Sequence, residues 1–231
     1  MRYFSLPLAL AFGIVSALST AVSAQERNSN DFSPRIHRGN WELGLSGSLK
    51  SEGYTQTVTG SGSSYTENQV GSSFTLDAKA GYFVANRFAI GIELQPNTEK
   101  TTTTYNASNN STVTTSGGVF FGPYARYYFR LTNRLSLYPE VALGLLTSSS
   151  TSKYVDNNSN TTNTTDLAGL GGNGGLGLAY FLNPHVALNI AGKLNWAGLA
   201  GTYQYPNGSA TVTQAYANLG LFLGLQVYLG N

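Results

Sequence analysis

Ala217-Asn218-Leu219-Gly220-Leu221-Phe222-Leu223-Gly224-Leu225-Gln226-Val227-Tyr228-Leu229 alternates in character at every step. Ala217, Leu219, Leu221, Leu223, Leu225, Val227 and Leu229 share one face. Asn218, Gly220, Phe222, Gly224, Gln226 and Tyr228 share the other. Successive side chains on a β-strand point to opposite sides, so a period of two means a strand with two unlike faces.

Working outward from this stretch, the same period recurs upstream, for eight strands in all. Strand one starts at Trp41, with Leu43, Leu45 and Leu49 opposed to Glu42, Ser46, Ser48 and Lys50. Strand two spans 72–84, and strand three carries Phe88, Ile90, Ile92 and Leu94. Strand four spans 117–131, and strand five carries Leu135, Leu137, Val141, Leu143 and Leu145. Strand six spans 166–182, strand seven carries Val186, Leu188, Ile190, Leu194 and Trp196, and strand eight covers 213–229. Short turns fall at Ala85-Asn86-Arg87, Thr132-Asn133-Arg134 and Asn183-Pro184-His185. Between them lie Ser/Thr/Asn-rich stretches at 52–70, 97–116 and 147–165, and a turn around Tyr205-Pro206-Asn207-Gly208. Such composition cannot build a core, and it predicts four long irregular loops. Short and long connections in strict alternation, with an even strand number, are the pattern of an outer-membrane barrel.

Bulk properties agree with that architecture. Arg2, the apolar run Tyr3–Leu18 and the small residues Val22-Ser23-Ala24 form a secretory signal peptide over 1–24, cleaved near Ala24. Residues 25–39 are polar and are expected to be a periplasmic lead-in, with the barrel over 40–231. Only 10% of residues are charged, against about 25% in soluble domains. Without Arg2 the 13 Lys and Arg become 12, facing 11 Asp and Glu, so no basic face for nucleic acid is expected. There is no cysteine for disulfide or thiol chemistry. No mature segment is apolar enough for a transmembrane helix. Only helices and closed barrels satisfy every backbone group in lipid, so a membrane reading requires a barrel.

The signal peptide, the turns Val84-Ala85-Asn86-Arg87-Phe88 and Leu131-Thr132-Asn133-Arg134-Leu135, and the strand-eight pattern resemble the small eight-stranded outer-membrane β-barrel proteins, the OmpA/OmpX-like class. The resemblance implies an all-β, closed, antiparallel up-and-down barrel in the bacterial outer membrane. That class typically ends in an aromatic residue read by the assembly machinery. Here the last aromatic is Tyr228, three residues before Asn231. The expected partners are outer-membrane lipid, lipopolysaccharide, the barrel-assembly machinery and a surface ligand held by the loops. No cofactor is expected.

The polar strand faces carry Glu42, Lys50, Asp77, Lys79, Glu93, Arg126, Arg130, Glu140 and Lys193. Centring the second hairpin on Asn86 places Lys79 opposite Glu93. Centring the next on Asn133 places Arg126 opposite Glu140, and centring the third on Pro184 places Asn173 opposite Asn195. Opposed residues lie about 4.5–5.5 Å apart at Cβ, and an eight-stranded barrel has only enough interior for side chains. The expected lumen layer is therefore Glu42, Asp77, Lys79, Glu93, Arg126, Glu140 and Lys193. Its ions are paired, because an unpaired charge there is costly. Such a layer reads first as a salt-bridged plug, next as an ion-selective constriction. The glycines around Gly171-Gly172 lack the Lys-Ser/Thr of a phosphate loop and read as close packing. Trp41, Tyr82, Phe88, Phe129, Tyr180 and Tyr228 are expected near a lower membrane interface, and Phe74, Trp196, Tyr203 and Tyr216 near an upper one. Pro123 and Pro139 remove ladder donors inside strands, which predicts a local bulge or bend.

No enzyme is expected. His37 and His185 fall at the turn end, away from the outer rim, so no base sits beside a nucleophile. Asp77 and Glu93 are the nearest carboxylate pair, and Lys79 and Arg126 would hold both ionised. No metal-ligand spacing is present. The function these residues favour is a structural, envelope-anchoring barrel with a surface-interaction role. The alternative is a small-solute pore or a conduit for small hydrophobic molecules. A soluble lipocalin-like barrel would need the opposite sidedness, apolar within and charged without.

Overall fold

The computed structural model describes residues 33–60, 63–105, 110–156, 159–206 and 208–230. The signal peptide, its cleavage site and most of the lead-in lie outside the described residues. Among the described residues, nine strands follow in chain order: β1 (Trp41–Gly60), β2 (Ser63–Ala85), β3 (Phe88–Tyr105), β4 (Asn110–Tyr127), β5 (Phe129–Arg130), β6 (Leu135–Asp156), β7 (Ser159–Asn183), β8 (Val186–Tyr205) and β9 (Gly208–Leu229). Each main strand pairs antiparallel with its chain neighbours, β4 pairs with β6, and β1 pairs with β9. The ring is thereby closed. The two-residue β5 continues the line of β4 past Tyr128 and pairs with β6, so the barrel has eight staves. Strand four of the sequence reading, 117–131, takes in both pieces.

The prolines explain the break. The β4–β6 ladder skips Gly122-Pro123 opposite Leu143-Gly144, and it ends at Arg126–Glu140, one residue before Pro139. A proline has no N–H to give to a neighbouring strand. Gly122 and Gly144 face each other across the first gap. A Cβ on either would stand 2.7 Å from the other's Cα, so only glycine lets the backbones come this close.

Where the sequence predicts long irregular loops, the described residues are strand. Residues 52–60 continue β1, 97–105 continue β3, 147–156 continue β6 and 159–165 belong to β7. Pairing is unbroken from Ser46–Asp77 to Gly60–Ser63, and from Pro96–Val119 to Tyr105–Asn110. The β8–β9 turn stands where expected, after Tyr205, but β9 begins at Gly208 rather than 213. Threonine explains the difference: its branched Cβ suits a pleated strand, and its hydroxyl finds partners across the ladder. Thr55 donates to Asn68 Oδ1 at 2.9 Å, Thr57 and Thr66 hydroxyls lie 3.3 Å apart, and Thr114 and Ser152 hydroxyls 3.0 Å apart. Polarity excludes these stretches from a core; it does not exclude them from a sheet. β7 has 25 residues, where about 9–11 cross a bilayer, so the hairpins stand well above the apolar zone.

Of the lead-in, residues 33–39 are described. Residues 33–40 form no strand, but they are packed. Pro34 and Ile36 are buried. Arg35 N–H donates to Pro184 O, Arg87 N–H to Ile36 O, and Gly39 N–H to Phe83 O. Asn40 Nδ2 donates to Arg35 O at 3.1 Å. The segment thus ties the β2–β3 and β7–β8 turns across the lower mouth. It places Ile36 against Phe83, Tyr128, Phe181 and Tyr228 inside the barrel.

Sidedness follows strand parity. Leu143, Leu145, Leu176, Leu219, Leu221 and Leu223 are all exposed on the outer wall, while the sequence neighbours Ala142, Leu146 and Phe222 are buried. Trp41 and Tyr82 pack edge to face on the outer wall, with centroids 5.2 Å apart, as do Tyr127 and Phe129 at 4.8 Å. Two aromatics expected at the interfaces turn inward instead. Tyr228 is fully buried, and Tyr216 packs against an interior cluster. Both sit on the even-numbered face of β9, opposite the leucines, so strand parity overrides height.

Candidate functional site

Alternate residues of eight strands converge on one axis, so the barrel's chemistry sits in its lumen. The interior falls into three levels. The lowest is aromatic: Phe83, Tyr128, Tyr138, Phe181 and Tyr228, with Ile36. Tyr128 lies within 6.2 Å of the ring centroids of Phe83, Tyr138 and Tyr228.

The middle level is ionic. All seven residues named from the sequence lie there: Glu42, Asp77, Lys79, Glu93, Arg126, Glu140 and Lys193 are each no more than 6% exposed. The ladders place Lys79 opposite Glu93, Arg126 opposite Glu140, and Asn173 opposite Asn195. Arg126 and Glu140 bond directly across their hairpin, but Lys79 and Lys193 make their shortest contacts with Asp77 and, across the lumen, with Glu140 rather than with Glu93. Lys79 Nζ lies 2.9 Å from Glu140 Oε1 and 2.9 Å from Asp77 Oδ2, but 3.6 Å from Glu93. Lys193 Nζ bonds Asp77 Oδ2 and lies 2.7 Å from Glu140 Oε1. Arg126 grips Glu140 Oε2 through Nε at 3.0 Å and Nη2 at 2.5 Å. Glu140 therefore joins three cations from three other strands. Hairpin register cannot show such chords, because it relates only neighbouring strands. Lys50 and Arg130, also on the polar faces, lie outside this level: Lys50 pairs with exposed Glu52 at 2.7 Å, and Arg130 bonds Asn133 Oδ1 at 2.9 Å in the lower turn.

Neutral donors complete the layer, and sequence reasoning missed them. Tyr124 and Tyr128 hydroxyls each donate to Glu42 at 2.7 Å, and Gln226 Nε2 donates to it at 3.1 Å. Asn173 Nδ2 donates to Glu93 at 3.0 Å. The Arg126 guanidinium lies 4.3 Å from the Tyr138 ring centroid, a cation–π contact. Their signal was parity: Tyr124, Tyr128, Tyr138 and Gln226 occupy the same alternating positions as Arg126, Glu140 and Phe222. Hydrogen bonds from phenols and amides let a buried carboxylate stay where cations are too few. The result is a cross-linked ionic and hydrogen-bonded layer at one level of the barrel interior.

The upper level is apolar, with Phe120, Leu146, Leu167, Ala197 and Leu199 clustered in the interior. Among the described residues, no group of three or more His, Cys, Asp or Glu is arranged to hold a metal ion. His185 Nδ1 lies 2.9 Å from Tyr228 O in the lower turn.

A closed antiparallel barrel with a leucine-rich wall and charges about its axis defines a transmembrane β-barrel. The chain belongs to the outer membrane protein beta-barrel domain family, whose model matches residues 23–204. Its place is accordingly the bacterial outer membrane. No curated protein sequence matches. Among solved structures, the fold is similar to the outer membrane protease OmpT of Escherichia coli: TM-score 0.52 at 9% identity, covering 87% of this chain and 99% of that one. It is also similar to a major outer membrane protein of Thermus thermophilus, with TM-score 0.48, 13% identity, and 83% and 100% of the two chains covered. For OprG of Pseudomonas aeruginosa the TM-score is 0.47, with 15% identity and coverage of 86% and 100%. At these identities the likeness concerns the fold alone.

Proposed function

We propose that this protein is a structural barrel of the outer membrane whose lumen is closed and whose tall Thr/Ser/Asn-rich hairpins form a surface for interaction outside the cell. One observation carries the reading: three cations and four carboxylates are interlocked at one level, with tyrosine and amide donors filling the remaining space. An ion crossing that level would have to displace several buried charge pairs at once, each costly to part. The outer wall fits acyl chains and the lipid of the outer leaflet, including lipopolysaccharide. The turn end and the packed lead-in face the periplasm, the side from which the assembly machinery works. Surface ligands engage the hairpins, where paired backbone leaves threonine and asparagine side chains projecting in fixed rows. Catalysis has no support in this arrangement: Asp77 and Glu93 lie within 4 Å of lysines that hold them as counter-ions.

Planar-bilayer recording tests the closed lumen. The refolded protein should give no steady current. Large, reproducible single-channel steps would instead assign it to the small-solute pores.

A further inference from the structure

β1 and β9 close the ring only in its lower part. Their ladder runs from Trp41–Leu229 to Gly47–Leu223 and stops there. Each strand nevertheless keeps its other ladder to the top, β1 with β2 as far as Gly60–Ser63 and β9 with β8 as far as Tyr205–Gly208. Two strand edges, 48–60 on β1 and 208–222 on β9, therefore stand with no ladder between them. Their lowest part lies at the level of the outer leucines. Leu49 is 84% exposed and Leu219 74%, the highest values among the large apolar side chains described. Hydrocarbon does not tolerate an open strand edge, because it holds no water to replace the missing ladder. Above the hydrocarbon such an edge is a template for another strand.

The two edges differ in what holds them. β9 is drawn inward: Val212 and Tyr216 pack against the interior cluster of Phe120, Leu146, Leu167 and Leu199, and the Phe222 ring centroid lies 4.7 Å from Lys193 Nζ. Among the described residues, β1 has no such anchor above Gly47, for none of its side chains there joins an interior cluster. Leu49 faces outward, and exposed Lys50 and Glu52 pair with each other at 2.7 Å. Closing the gap within one chain would require β9 to leave its cluster or β1 to cross toward the axis.

We propose that these edges pair between two copies of this chain, β1 of one protomer with β9 of its partner, twice, about a two-fold axis along the membrane normal. Direction selects the occupant. β1 leaves the turn end of the barrel and β9 returns to it, and both copies stand the same way up in one membrane. β1 beside a second β1, or β9 beside a second β9, would run parallel. β1 beside β9 runs antiparallel, as does every ladder of this sheet. A two-fold rotation makes both such pairs at once. The register is set by the lower ladder: continued, it places Ser48 opposite Phe222, Leu49 opposite Leu221, Ser51 opposite Leu219 and Gly60 opposite Ala210. Leu49 and the partner's Leu221 then form an apolar cross-strand pair on the lipid side. Like charges do not meet, since residues 208–222 of β9 carry none. The lower ladder stays within each chain, so association leaves the ionic layer as it is.

Two single variants, Ser51→Cys and Leu219→Cys, provide the test, because the chain has no cysteine of its own. They are mixed, refolded into phospholipid vesicles and oxidised. Opposed strand positions meet the separation of about 5.5–6 Å between Cα atoms that a disulfide prefers. The mixture should give covalent dimer at least severalfold more abundantly than either variant alone. The unsubstituted chain gives a second measurement, should a cysteine disturb folding. Energy transfer between donor-labelled and acceptor-labelled chains, each with one dye on its terminal amine, should persist as lipid is added and fall as unlabelled chain is added. A mixture that yields no more dimer than the single variants would overturn the pairing. So would a Ser51→Cys/Leu219→Cys chain that links only within itself, which would mean that each barrel closes its own gap. Transfer that merely tracks the ratio of protein to lipid would overturn the association.

Discussion

Lys193→Met should destabilise the folded barrel by about 3–5 kcal/mol, the cost of leaving buried charge without its partner. Lys193 Nζ is shared by Asp77, Glu140 and Glu93 and is 1% exposed. Methionine keeps most of the volume, so the loss reports on charge rather than on a void. Removing this cation leaves Lys79 and Arg126 to serve four carboxylates. The measurement is urea-induced unfolding in phospholipid vesicles. The companion variant Lys193→Met/Asp77→Asn should recover a substantial part of the loss, because it takes away the carboxylate left exposed to repulsion. Coupling of this kind is expected for groups in one network. A single variant as stable as the parent would mean that Lys193 is solvated rather than locked into the layer.

The second large effect lies on the other face. Leu223→Arg should cost about 2–4 kcal/mol, the range for a cation on the lipid side of a barrel near the bilayer midplane. Leu223 is 59% exposed and sits midway along the run of outward residues from Ala217 to Leu229. The same charge at outward Thr213, above the apolar zone, should cost no more than about 1 kcal/mol. Vesicle refolding yields of the two variants separate these outcomes. Equal costs at the two positions would remove hydrocarbon from the outer wall.

The architecture was legible because membrane burial turns strand parity into a chemical alternation. Leu219 to Leu229 against Gly220 to Tyr228 states which face meets lipid, and the short turns fix hairpin register closely enough to place Lys79 opposite Glu93 and Arg126 opposite Glu140. Register is a relation between neighbours, so contacts that cross the bore, such as Lys79 with Glu140 and Tyr124 with Glu42, were out of reach. The upper strands were misread for a different reason. Their Thr and Ser carry no apolar alternation, since water lies on both sides, and composition alone does not distinguish an irregular loop from a solvated sheet. The packing of the lead-in was not legible because its hold on the barrel comes from backbone bonds, Arg87 to Ile36 and Gly39 to Phe83, which side-chain identity does not announce. The gap between β1 and β9 left no mark in the sequence that we could find; only the pairing shows it.

The protein carries two tryptophans, Trp41 and Trp196, and both lie on the outer wall. Tryptophan emission of the refolded protein, measured in vesicles made with acyl-brominated phospholipid and again with aqueous iodide, is therefore the most direct check of which face meets hydrocarbon. Strong quenching by bromine with little response to iodide is the predicted result. Strong quenching by iodide in lipid that leaves bromine without effect would contradict it.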